Sequence, residues 1–342
     1  MYSIEEIKSV HLEISSRCNA SCPLCPRNFF GYPHNDGYVE HDMTLSQAQQ
    51  IFQPEFLKQL IGVNINGNFG DAVMNPDTAA IVEYFRSHNP RLHISISTNA
   101  GARDRNFWQA LARANAEVLF CIDGIDEVHS LYRQNILYST VMKNAKIFIE
   151  AGGRAVWKMI DFEHNRHQQD QARQLSEELG FVFFNLVDQG RNKGPVFDKN
   201  KNLVHAMGTL NETQKNFEVL WQRRTQHKMT FENFINGPYR PTPALISCQV
   251  KKEKSLYITS VGEVYPCCFL GFSPKTYGNG NNYHGAVNPQ LIPLIGNNNA
   301  LERSLSDCIS WFNKIVESWE IPTFEQGRLV ICNDTCGCKT NK

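Results

Sequence analysis

Short apolar runs alternate with longer amphipathic segments through the first half of the chain. Runs rich in β-branched and aromatic residues predict strands, and apolar positions at helical spacing predict the helices between them. The predicted strands cover residues 10–15, 62–66, 92–97, 117–122, 155–160 and 181–185. The predicted helices cover residues 45–60, with Thr44 as N-cap, 77–87, 105–114, 139–151 and 168–179. Six such units predict an α/β fold with a parallel sheet, open or curled into part of a barrel, that binds ligands at the carboxyl ends of its strands.

The alternation stops near residue 186, and the remainder of the chain is predicted to be smaller and rich in loops. Residues 188–195 contain two glycines, a proline and several charges, which is typical of a connection. Residues 277–299 are rich in Asn and Gly and favour a long loop. Apolar residues at helical spacing predict one clear helix over residues 301–319.

Composition and charge narrow the class of protein. The 342 residues are 42% hydrophobic and 20% charged, as in a folded chain of about two domains. Thirty-four basic residues balance 34 acidic ones, so no net field favours a nucleic-acid partner. The sequence contains no apolar run of the roughly 18 residues that a membrane span needs, and its start lacks signal-peptide features. We therefore expect a cytoplasmic protein with no membrane partner.

Ten of the eleven cysteines fall into two groups, one near each end of the chain. In a reducing compartment this pattern favours metal ligation or catalysis over disulfides. Cys18, Cys22 and Cys25 form a C-x3-C-x2-C pattern directly after the first predicted strand. Three thiolates on one loop can hold three irons of a cubane cluster and leave the fourth iron open to a ligand. A structural zinc site, which normally has four protein ligands, is the alternative.

This cysteine pattern resembles the radical S-adenosylmethionine (SAM) superfamily. The resemblance continues in residues 64–71, which look like the family's glycine–glycine–acid motif with Phe69 in place of the first glycine. In that motif Gly70 would allow close backbone approach, and Asp71 would accept a hydrogen bond from the SAM ammonium.

Further motifs follow at successive strand ends. Ser97 and Asn99 look like the segment that reaches the ribose or carboxylate of SAM, and Cys121 stands in the serine position of a Ser-x-Asp-Gly motif. Arg133 falls where an arginine for the SAM carboxylate is expected, and Leu24 falls where backbone groups meet the adenine.

The resemblance implies a partial (β/α)6 TIM-like barrel over residues 1–190. It also implies a SAM-binding [4Fe-4S] cluster on Cys18, Cys22 and Cys25 that takes an electron from an external donor such as flavodoxin or ferredoxin. Reductive cleavage of SAM would give a 5′-deoxyadenosyl radical that abstracts hydrogen from a small-molecule or peptide substrate. The expected enzyme class is an oxidoreductase or another C–H-functionalising enzyme.

The C-terminal cysteines predict a second sulfur site. Cys248 is followed by thirteen residues, Gly262, four residues and Cys267, and a β-hairpin turning at Gly262 would bring the two thiols together. This spacing resembles the SPASM and twitch extensions of radical SAM enzymes, which carry an auxiliary [4Fe-4S] cluster. Cys332 and Cys336 are predicted to complete the ligands, with Cys338 as the substitute for either.

The full SPASM cysteine pattern is absent, which favours the single-cluster twitch version, and a four-thiolate zinc site is the alternative. The resulting division is a barrel over 1–190, a linker or bridging region over 191–245 and an auxiliary-cluster domain over 246–342. Cys268 and Cys308 are expected to pack as small hydrophobes.

Polar residues after the fifth and sixth predicted strands are candidates for substrate contacts or a base. They are Lys158, Asp161, Glu163, His164 and Asp188. The alternative function is that of a non-catalytic metal-binding protein, either an iron–sulfur electron carrier or a zinc-based RNA binder.

Overall fold

One mixed sheet of eight strands organises the chain in the computed structural model, which describes residues 1–33, 39–188, 193–226, 232, 236, 242–272 and 290–338. The strands are β1 (Ser9–Leu12), β2 (Asn28–Phe29), β3 (Tyr32–Pro33), β4 (Gly62–Ile65), β5 (His93–Thr98), β6 (Glu117–Cys121), β7 (Arg154–Ile160), β8 (Phe183–Val187), β9 (Gly194–Phe197), β10 (Leu203–Met207), β11 (Ser255–Ile258) and β12 (Val264–Tyr265).

The main sheet has the order β12-β11-β1-β4-β5-β6-β7-β8. Every neighbouring pair from β11 to β8 is parallel, and β12 joins β11 in an antiparallel hairpin. The six predicted strands are confirmed as β1 and β4 to β8, with ends shifted by one or two residues at most positions. Sequential parallel strands with helical crossovers curl into the predicted partial barrel, and their carboxyl ends lie at one edge.

Fourteen α-helices lie among the described residues. They are α1 (Leu45–Ile51), α2 (Pro54–Gln59), α3 (Thr78–His88), α4 (Arg105–Arg113), α5 (Glu127–Tyr132), α6 (Tyr138–Glu150), α7 (Gln169–Glu178), α8 (Glu212–Lys215), α9 (Phe217–Gln226), α10 (Gln249–Glu253), α11 (Cys268–Phe272), α12 (Leu305–Ile309), α13 (Phe312–Glu317) and α14 (Val330–Cys336). Within the described ranges, no helix has the length and apolar character needed to cross a bilayer.

Two predicted helices are interrupted. The helix expected over 45–60 is divided into α1 and α2 because Pro54, the first residue of α2, has no amide to continue α1. The helix expected over 301–319 is divided into α12, α13 and a 3₁₀ turn at Ser318–Glu320. At the first break Ser310 Oγ donates to the Asp307 carbonyl at 2.8 Å, so a side chain competes with the helical backbone.

The core covers both faces of the sheet, as parallel strands with flanking helices require. β7 shows this most clearly, since its buried residues point to both sides. Trp157 in this strand is fully buried, and its Nε1 donates to the Ile122 carbonyl at 3.0 Å. The strand that carries Lys158 to the carboxyl edge is therefore fixed on both faces.

The region 191–245, predicted as a linker or bridge, contains ordered elements where it is described. The β9–β10 hairpin and helices α8 and α9 lie within residues 193–226. Phe197 and Phe217 from these elements bury themselves against Phe29, which follows the first cysteine group. The Phe197 amide also donates to the Phe30 carbonyl at 2.8 Å. This aromatic cluster anchors the chain immediately after Cys25.

The predicted C-terminal hairpin forms, and it also extends the barrel sheet. Gly262 takes the turn with φ +86°, a conformation that favours glycine. β11 pairs in parallel with β1, so that Tyr257 lies opposite His11. No local pattern in either segment indicates this pairing. Residues 277–289 of the predicted Asn/Gly-rich loop lie outside the described residues.

Asn75 links the end of β1 to the helical layer. Its side chain is fully buried, and Nδ2 donates to the carbonyls of Ile14 at 2.7 Å and Met43 at 2.8 Å. Its Oδ1 accepts from the Asp77 amide at 2.8 Å.

We predict that Asn75→Ala lowers the free energy of unfolding by about 2–4 kcal/mol, because it leaves buried carbonyls without donors. Urea denaturation measures the change. The control is Asn313→Ala on the exposed face of α13, with an expected effect below about 0.5 kcal/mol. Equal effects of the two substitutions would contradict this role of Asn75.

Candidate functional site

The loop that carries Cys18, Cys22 and Cys25 leaves the carboxyl end of β1 and is shaped by two tight turns. The Cys25 amide donates to the Cys22 carbonyl at 3.1 Å, and the Asn28 amide donates to the Cys25 carbonyl at 3.0 Å. Asn28 Nδ2 also donates to the Cys22 carbonyl at 3.3 Å. The C-x2-C half of the pattern is therefore held by its own backbone.

Nitrogen donors lie against two of these sulfurs. The Ala20 amide lies 3.4 Å from Cys18 Sγ, Asn99 Nδ2 lies 3.6 Å from the same sulfur, and Arg133 Nη1 lies 3.9 Å from Cys22 Sγ. Burial raises the pKa of Cys18 and raises that of Cys22 to about 12, although the Arg133 charge opposes the second shift. Metal ligation requires thiolates, so iron binding here would release protons.

Asp71 is a buried carboxylate at the strand ends, as the motif predicts. Its Oδ1 accepts from Thr98 Oγ1 at 2.6 Å and from the Val73 amide at 3.1 Å, and its Oδ2 accepts from the Asn99 amide at 2.7 Å. Burial raises the pKa of Asp71, and these hydrogen bonds act in the opposite direction. A carboxylate has about four acceptor positions, so Asp71 can accept a further donor.

Gly70 allows a close approach of two backbone segments. A Cβ at this position would lie 1.9 Å from the Ser15 carbonyl oxygen and 2.7 Å from that of Arg17. The Asp71 amide donates to the Arg17 carbonyl at 2.8 Å. The close approach predicted at Gly70 is thus made to the protein's own chain, and it places Asp71 beside the cysteine loop.

Arg133 and Asp123 form a buried ion pair. Arg133 Nε donates to Asp123 Oδ2 at 2.6 Å, and the Ile160 amide donates to Asp123 Oδ1 at 2.6 Å. Asp123 is fully buried. Burial alone would lower the pKa of Arg133, but the Asp123 charge raises it well above its ordinary value. The pair fixes a permanent cation next to Cys22.

Most of the residues predicted to hold the cluster and SAM line a single pocket. Its lining includes Cys18, Cys22, Cys25, Gly70, Asp71, Ser97, Asn99, Cys121 and Arg133. Leu24 is not among the described lining residues, and its side chain lies against Gly194. Asn99 also ties the cysteine loop to β5, since its Nδ2 donates to Asn19 Oδ1 at 2.9 Å.

A second pocket gathers the four C-terminal cysteines predicted as ligands. Cys248, Cys267, Cys332 and Cys336 all line it, and the rest of its lining is mostly apolar. Cys248 precedes α10, Cys267 precedes α11, and the other two lie one turn apart on α14. Three separate segments thus bring their thiols to one place.

Main-chain contacts bring Cys248 to the last helix. The Ser247 amide donates to the Cys336 carbonyl at 2.8 Å, and the Cys338 amide donates to the Leu245 carbonyl at 2.8 Å. Cys338, the predicted substitute ligand, is exposed and is not among the described lining residues.

The second pocket suits thiolate ligands. The thiols of Cys248 and Cys336 lie close enough to interact, and this interaction lowers the pKa of Cys248. Burial raises the pKa of Cys267 and raises that of Cys332 to about 12. The buried Trp319 Nε1 approaches the Cys332 sulfur without a well-aligned hydrogen bond to any described residue. This donor is available to a thiolate or to a cluster sulfide.

Within the described residues, no three His, Cys, Asp or Glu side chains converge on the position of one metal ion. A cubane cluster takes its thiolates at separate irons.

The two pockets share a segment of chain. Cys267 lines the second pocket, and the next residue, Cys268, lines the first. Cys268 is half-buried and packs against the core, as expected, while it also lines the first pocket, and Cys308 is buried within α12. The Cys268 carbonyl accepts from Asn68 Nδ2 at 2.9 Å, so α11 contacts the loop before Asp71.

Comparison with known proteins shows the family of residues 12–165. Residues 12–165 match the model of the Radical SAM superfamily. This domain belongs to that superfamily. No protein with curated annotation matches the chain in sequence.

Solved structures with a similar fold include Streptococcus suis SuiB bound to S-adenosylmethionine. That match has 14% identity and a TM-score of 0.54, and it covers 88% of this chain and 65% of SuiB. The chain thus spans just under two thirds of SuiB in that match. A structure of anSMEcpe with bound AdoMet matches with 15% identity, a TM-score of 0.52, and coverage of 96% and 90%. SuiB bound to its precursor peptide SuiA also matches, with 13% identity, a TM-score of 0.52, and coverage of 95% and 76%.

Among the polar candidates for substrate contacts, Lys158 lines the pocket that contains Cys18, Cys22 and Cys25. Asp161 instead accepts from Arg166 Nε at 2.9 Å near the surface. His164 stacks on Phe162, and burial lowers its pKa to about 4. Glu163 and Asp188 are exposed and are not among the described residues that line the pocket.

Two residues that support the site carry no motif by which the sequence would identify them. Glu13 and Tyr257 are buried and form a hydrogen bond of 2.5 Å beneath the radical SAM pocket. The signal available for Glu13 was an acidic residue within the strand predicted over 10–15, one residue beyond the end of β1. Tyr257 carried no signal because its role depends on the unforeseen pairing of β11 with β1.

We predict that Asp123→Ala lowers the free energy of unfolding by about 3–5 kcal/mol, because it leaves Arg133 buried without its partner. Denaturant unfolding of the apoprotein measures the change. Asp161→Ala, which breaks the more exposed pair with Arg166, is the control and should cost less than about 1 kcal/mol. A loss at Asp123 as small as the loss at Asp161 would contradict the prediction.

Proposed function

We propose that this protein is a radical SAM enzyme that cleaves SAM reductively and functionalises a C–H bond of a small-molecule or peptide substrate. The observation that carries the proposal is the single pocket lined by Cys18, Cys22 and Cys25 together with Asp71 and Arg133. An iron–sulfur electron carrier would have no need of a buried acid and a largely buried arginine beside the same cysteine loop.

The residues of the pocket fit a [4Fe-4S] cluster with an open iron. Cys18, Cys22 and Cys25 would hold three irons, and the nitrogen donors of Asn99 and Arg133 would stabilise two of the thiolates. When bound, the reduced cluster with SAM supplies 5′-deoxyadenosyl radical chemistry. The chain binds and orients SAM and excludes water from the pocket.

Each SAM group has a proposed partner. Asp71 accepts from the ammonium, Arg133 pairs with the carboxylate, and Ser97 and Asn99 reach the ribose or carboxylate. These side chains line the pocket from the ends of β4 and β5 and from the turn after α5. The Arg133 charge remains available because Asp123 engages its Nε, while Nη1 points toward the cluster loop.

Three further groups complete the proposed SAM site. The backbone beside Leu24 meets the adenine, and Gly70 and Cys121 line the pocket wall. A hydrogen bond in the protein interior, where the effective dielectric constant is low, is electrostatically stronger than one at the surface.

The four thiols of the second pocket would hold an auxiliary [4Fe-4S] cluster. Cys248, Cys267, Cys332 and Cys336 supply one thiolate for each iron, so such a cluster would be closed and would serve as an electron relay or a structural element. The buried Trp319 N–H supports this assignment, since a donor beside Cys332 stabilises a thiolate. The proposed organisation is a radical SAM barrel over 1–190, a bridging region over 191–245 and a twitch-like domain over 246–342.

Substrate chemistry is proposed as oxidation or another C–H functionalisation. Lys158 is the polar candidate that lines the pocket, and we assign it to substrate contact. Structures of SuiB and anSMEcpe are described with bound peptides, and this supports a peptide substrate. A small molecule is the other proposed substrate class. An external flavodoxin or ferredoxin is the proposed electron donor.

We predict that reconstituted wild-type protein holds about eight irons and that Cys22→Ala and Cys267→Ala each reduce this number to about four. Only Cys22→Ala removes the SAM-binding cluster, so it should abolish 5′-deoxyadenosine formation with dithionite and SAM. Iron and sulfide analysis with product chromatography measures both effects. Cys308→Ala, which changes a buried thiol outside both pockets, is the control.

Several outcomes would count against these assignments. 5′-Deoxyadenosine formed by Cys22→Ala would refute the SAM-binding cluster. Zinc without iron in the wild type would favour the four-thiolate zinc site and the RNA-binding alternative. Unchanged iron in Cys267→Ala would refute the auxiliary ligand set.

We predict that Asp71→Asn weakens SAM binding at least tenfold while the iron content stays that of the wild type. The reason is the loss of a charged acceptor for the ammonium, an interaction of about 1.5–3 kcal/mol. Equilibrium dialysis of SAM with the reconstituted protein measures the affinity.

Asp77→Asn is the matched control for Asp71→Asn, because Asp77 accepts from the Leu45 amide at 2.8 Å and does not line the described pocket. Loss of cluster absorbance in Asp71→Asn would show that the residue supports the cluster rather than SAM.

A further inference from the structure

Glu13 lies directly beneath the loop that precedes Asp71. Its carboxylate is 1% exposed, and Oε1 accepts from the amides of Phe69 at 2.7 Å and Gly70 at 2.9 Å. Its Oε2 accepts from Tyr257 Oη at 2.5 Å. No described cation forms an ion pair with Glu13, so hydrogen-bond donors alone offset the cost of burying this acid.

Tyr257 reaches Glu13 from the C-terminal hairpin. It is fully buried on β11, and its ring packs edge-on against His11 with 4.9 Å between centroids. His11 on β1 and Glu13, one residue beyond the end of that strand, both contact Tyr257 and so face the same side. His11 Nε2 forms a 2.5 Å hydrogen bond with the Asn66 carbonyl. His11, Glu13 and Tyr257 thus hold the loop 66–70 at both of its ends.

The bonds to Glu13 decide which way the loop carbonyls face. In a trans peptide unit the N–H and the preceding C=O point in opposite directions. The amides of Phe69 and Gly70 point at Glu13, so the carbonyls of Asn68 and Phe69 point away from it. The Phe69 carbonyl accepts from Arg27 Nη1 at 3.2 Å, which fits this direction.

Helix α11, which belongs to the C-terminal part of the chain, also contacts the loop 66–70. Asn68 Nδ2 donates to the Cys268 carbonyl at 2.9 Å, and the rings of Phe69 and Phe272 stack with 5.4 Å between centroids. The loop that carries the acidic motif is therefore enclosed by β1 on one side and by residues 257–272 on the other.

We propose that Glu13 and Tyr257 are positioning residues for SAM, through which the C-terminal hairpin fixes the loop 66–70. Tyr257 holds the Glu13 carboxylate, and Glu13 holds the Phe69 and Gly70 amides so that the loop carbonyls and Asp71 receive the SAM ammonium. Neither residue touches SAM. The inference rests on the proposed function, because it assumes that SAM binds in this pocket.

The first experiment compares Tyr257→Phe with Tyr265→Phe. Both substitutions remove one hydroxyl from a buried tyrosine of the same hairpin, but Tyr265 Oη contacts Glu263 at 3.4 Å and not Glu13. Tyr257→Phe should weaken SAM binding about tenfold in equilibrium dialysis, the size expected for a buried hydrogen bond to a charged group. Iron content and thermal midpoint should match those of Tyr265→Phe.

A readout without cluster or SAM is amide hydrogen exchange in the apoprotein. The Phe69 and Gly70 amides should exchange several-fold faster in Tyr257→Phe than in Tyr265→Phe, since a freed Glu13 carboxylate holds them less firmly. Equal exchange and equal SAM affinity in the two variants would overturn the inference, as would loss of iron from Tyr257→Phe alone.

A second pair of variants tests hydrogen-bond geometry against charge. Glu13→Gln keeps an oxygen for the two amides and can donate to the Tyr257 oxygen, so SAM affinity should stay within about threefold of wild type. Glu13→Ala should lose at least tenfold. Equal losses in both variants would assign the effect to charge and refute positioning.

Failure of the inference differs from failure of the proposed function. If wild type and Tyr265→Phe bind SAM and Tyr257→Phe binds it equally well, positioning fails and the proposed function stands. If reconstituted wild type does not bind SAM, the proposed function fails and the inference falls with it.

Discussion

Parallel pairing of β11 with β1 is the constraint on which both pockets depend. Parallel strands end at the same edge of a sheet, so the chain leaving β11 and the chain leaving β1 emerge side by side. The chain that follows β11 turns back through the antiparallel strand β12 and then carries Cys267 and Cys268, and the chain that leaves β1 carries Cys18. Backbone hydrogen bonds between two strands far apart in sequence thus bring Cys268 to the pocket lined by Cys18. Because Cys267 lines the second pocket, that pocket also depends on the sheet.

The pocket that contains Cys18, Cys22 and Cys25 is built around buried charged groups whose partners lie within the protein. Arg133 is paired with Asp123, and Asp71 and Glu13 are surrounded by amide and hydroxyl donors. Such groups cost several kcal/mol to bury alone, and each is stable here because its partners are fixed by strand ends. Partners within the protein hold each of these groups in place, so ligand binding need not order them.

Local patterns in the sequence were sufficient for much of this description. Strand periodicity located the barrel strands, and Thr44 caps α1 through the Gln47 amide as predicted. The four C-terminal cysteines that were predicted as ligands line one pocket.

Contacts between segments far apart in the sequence could not be predicted from local patterns. The β11–β1 pairing and the bond of Tyr257 to Glu13 join positions without a shared local pattern. The two broken helices show a different limit, since amphipathic spacing continued across Pro54 and Ser310 although the backbone could not. A side chain that competes for a carbonyl, or a proline that lacks an amide, interrupts a helix within a single turn. Apolar periodicity is read over several turns, so it does not locate such a break.

The neighbouring residues Cys267 and Cys268 line different pockets. Consecutive α-carbons in a chain are about 3.8 Å apart, and no rotation can lengthen that link. A sideways shift of α11 that reshaped the wall of one pocket would displace the wall of the other at the same moment. A movement of α11 therefore changes the shapes of both cavities together, so a ligand that displaced this helix in one pocket would also alter the other.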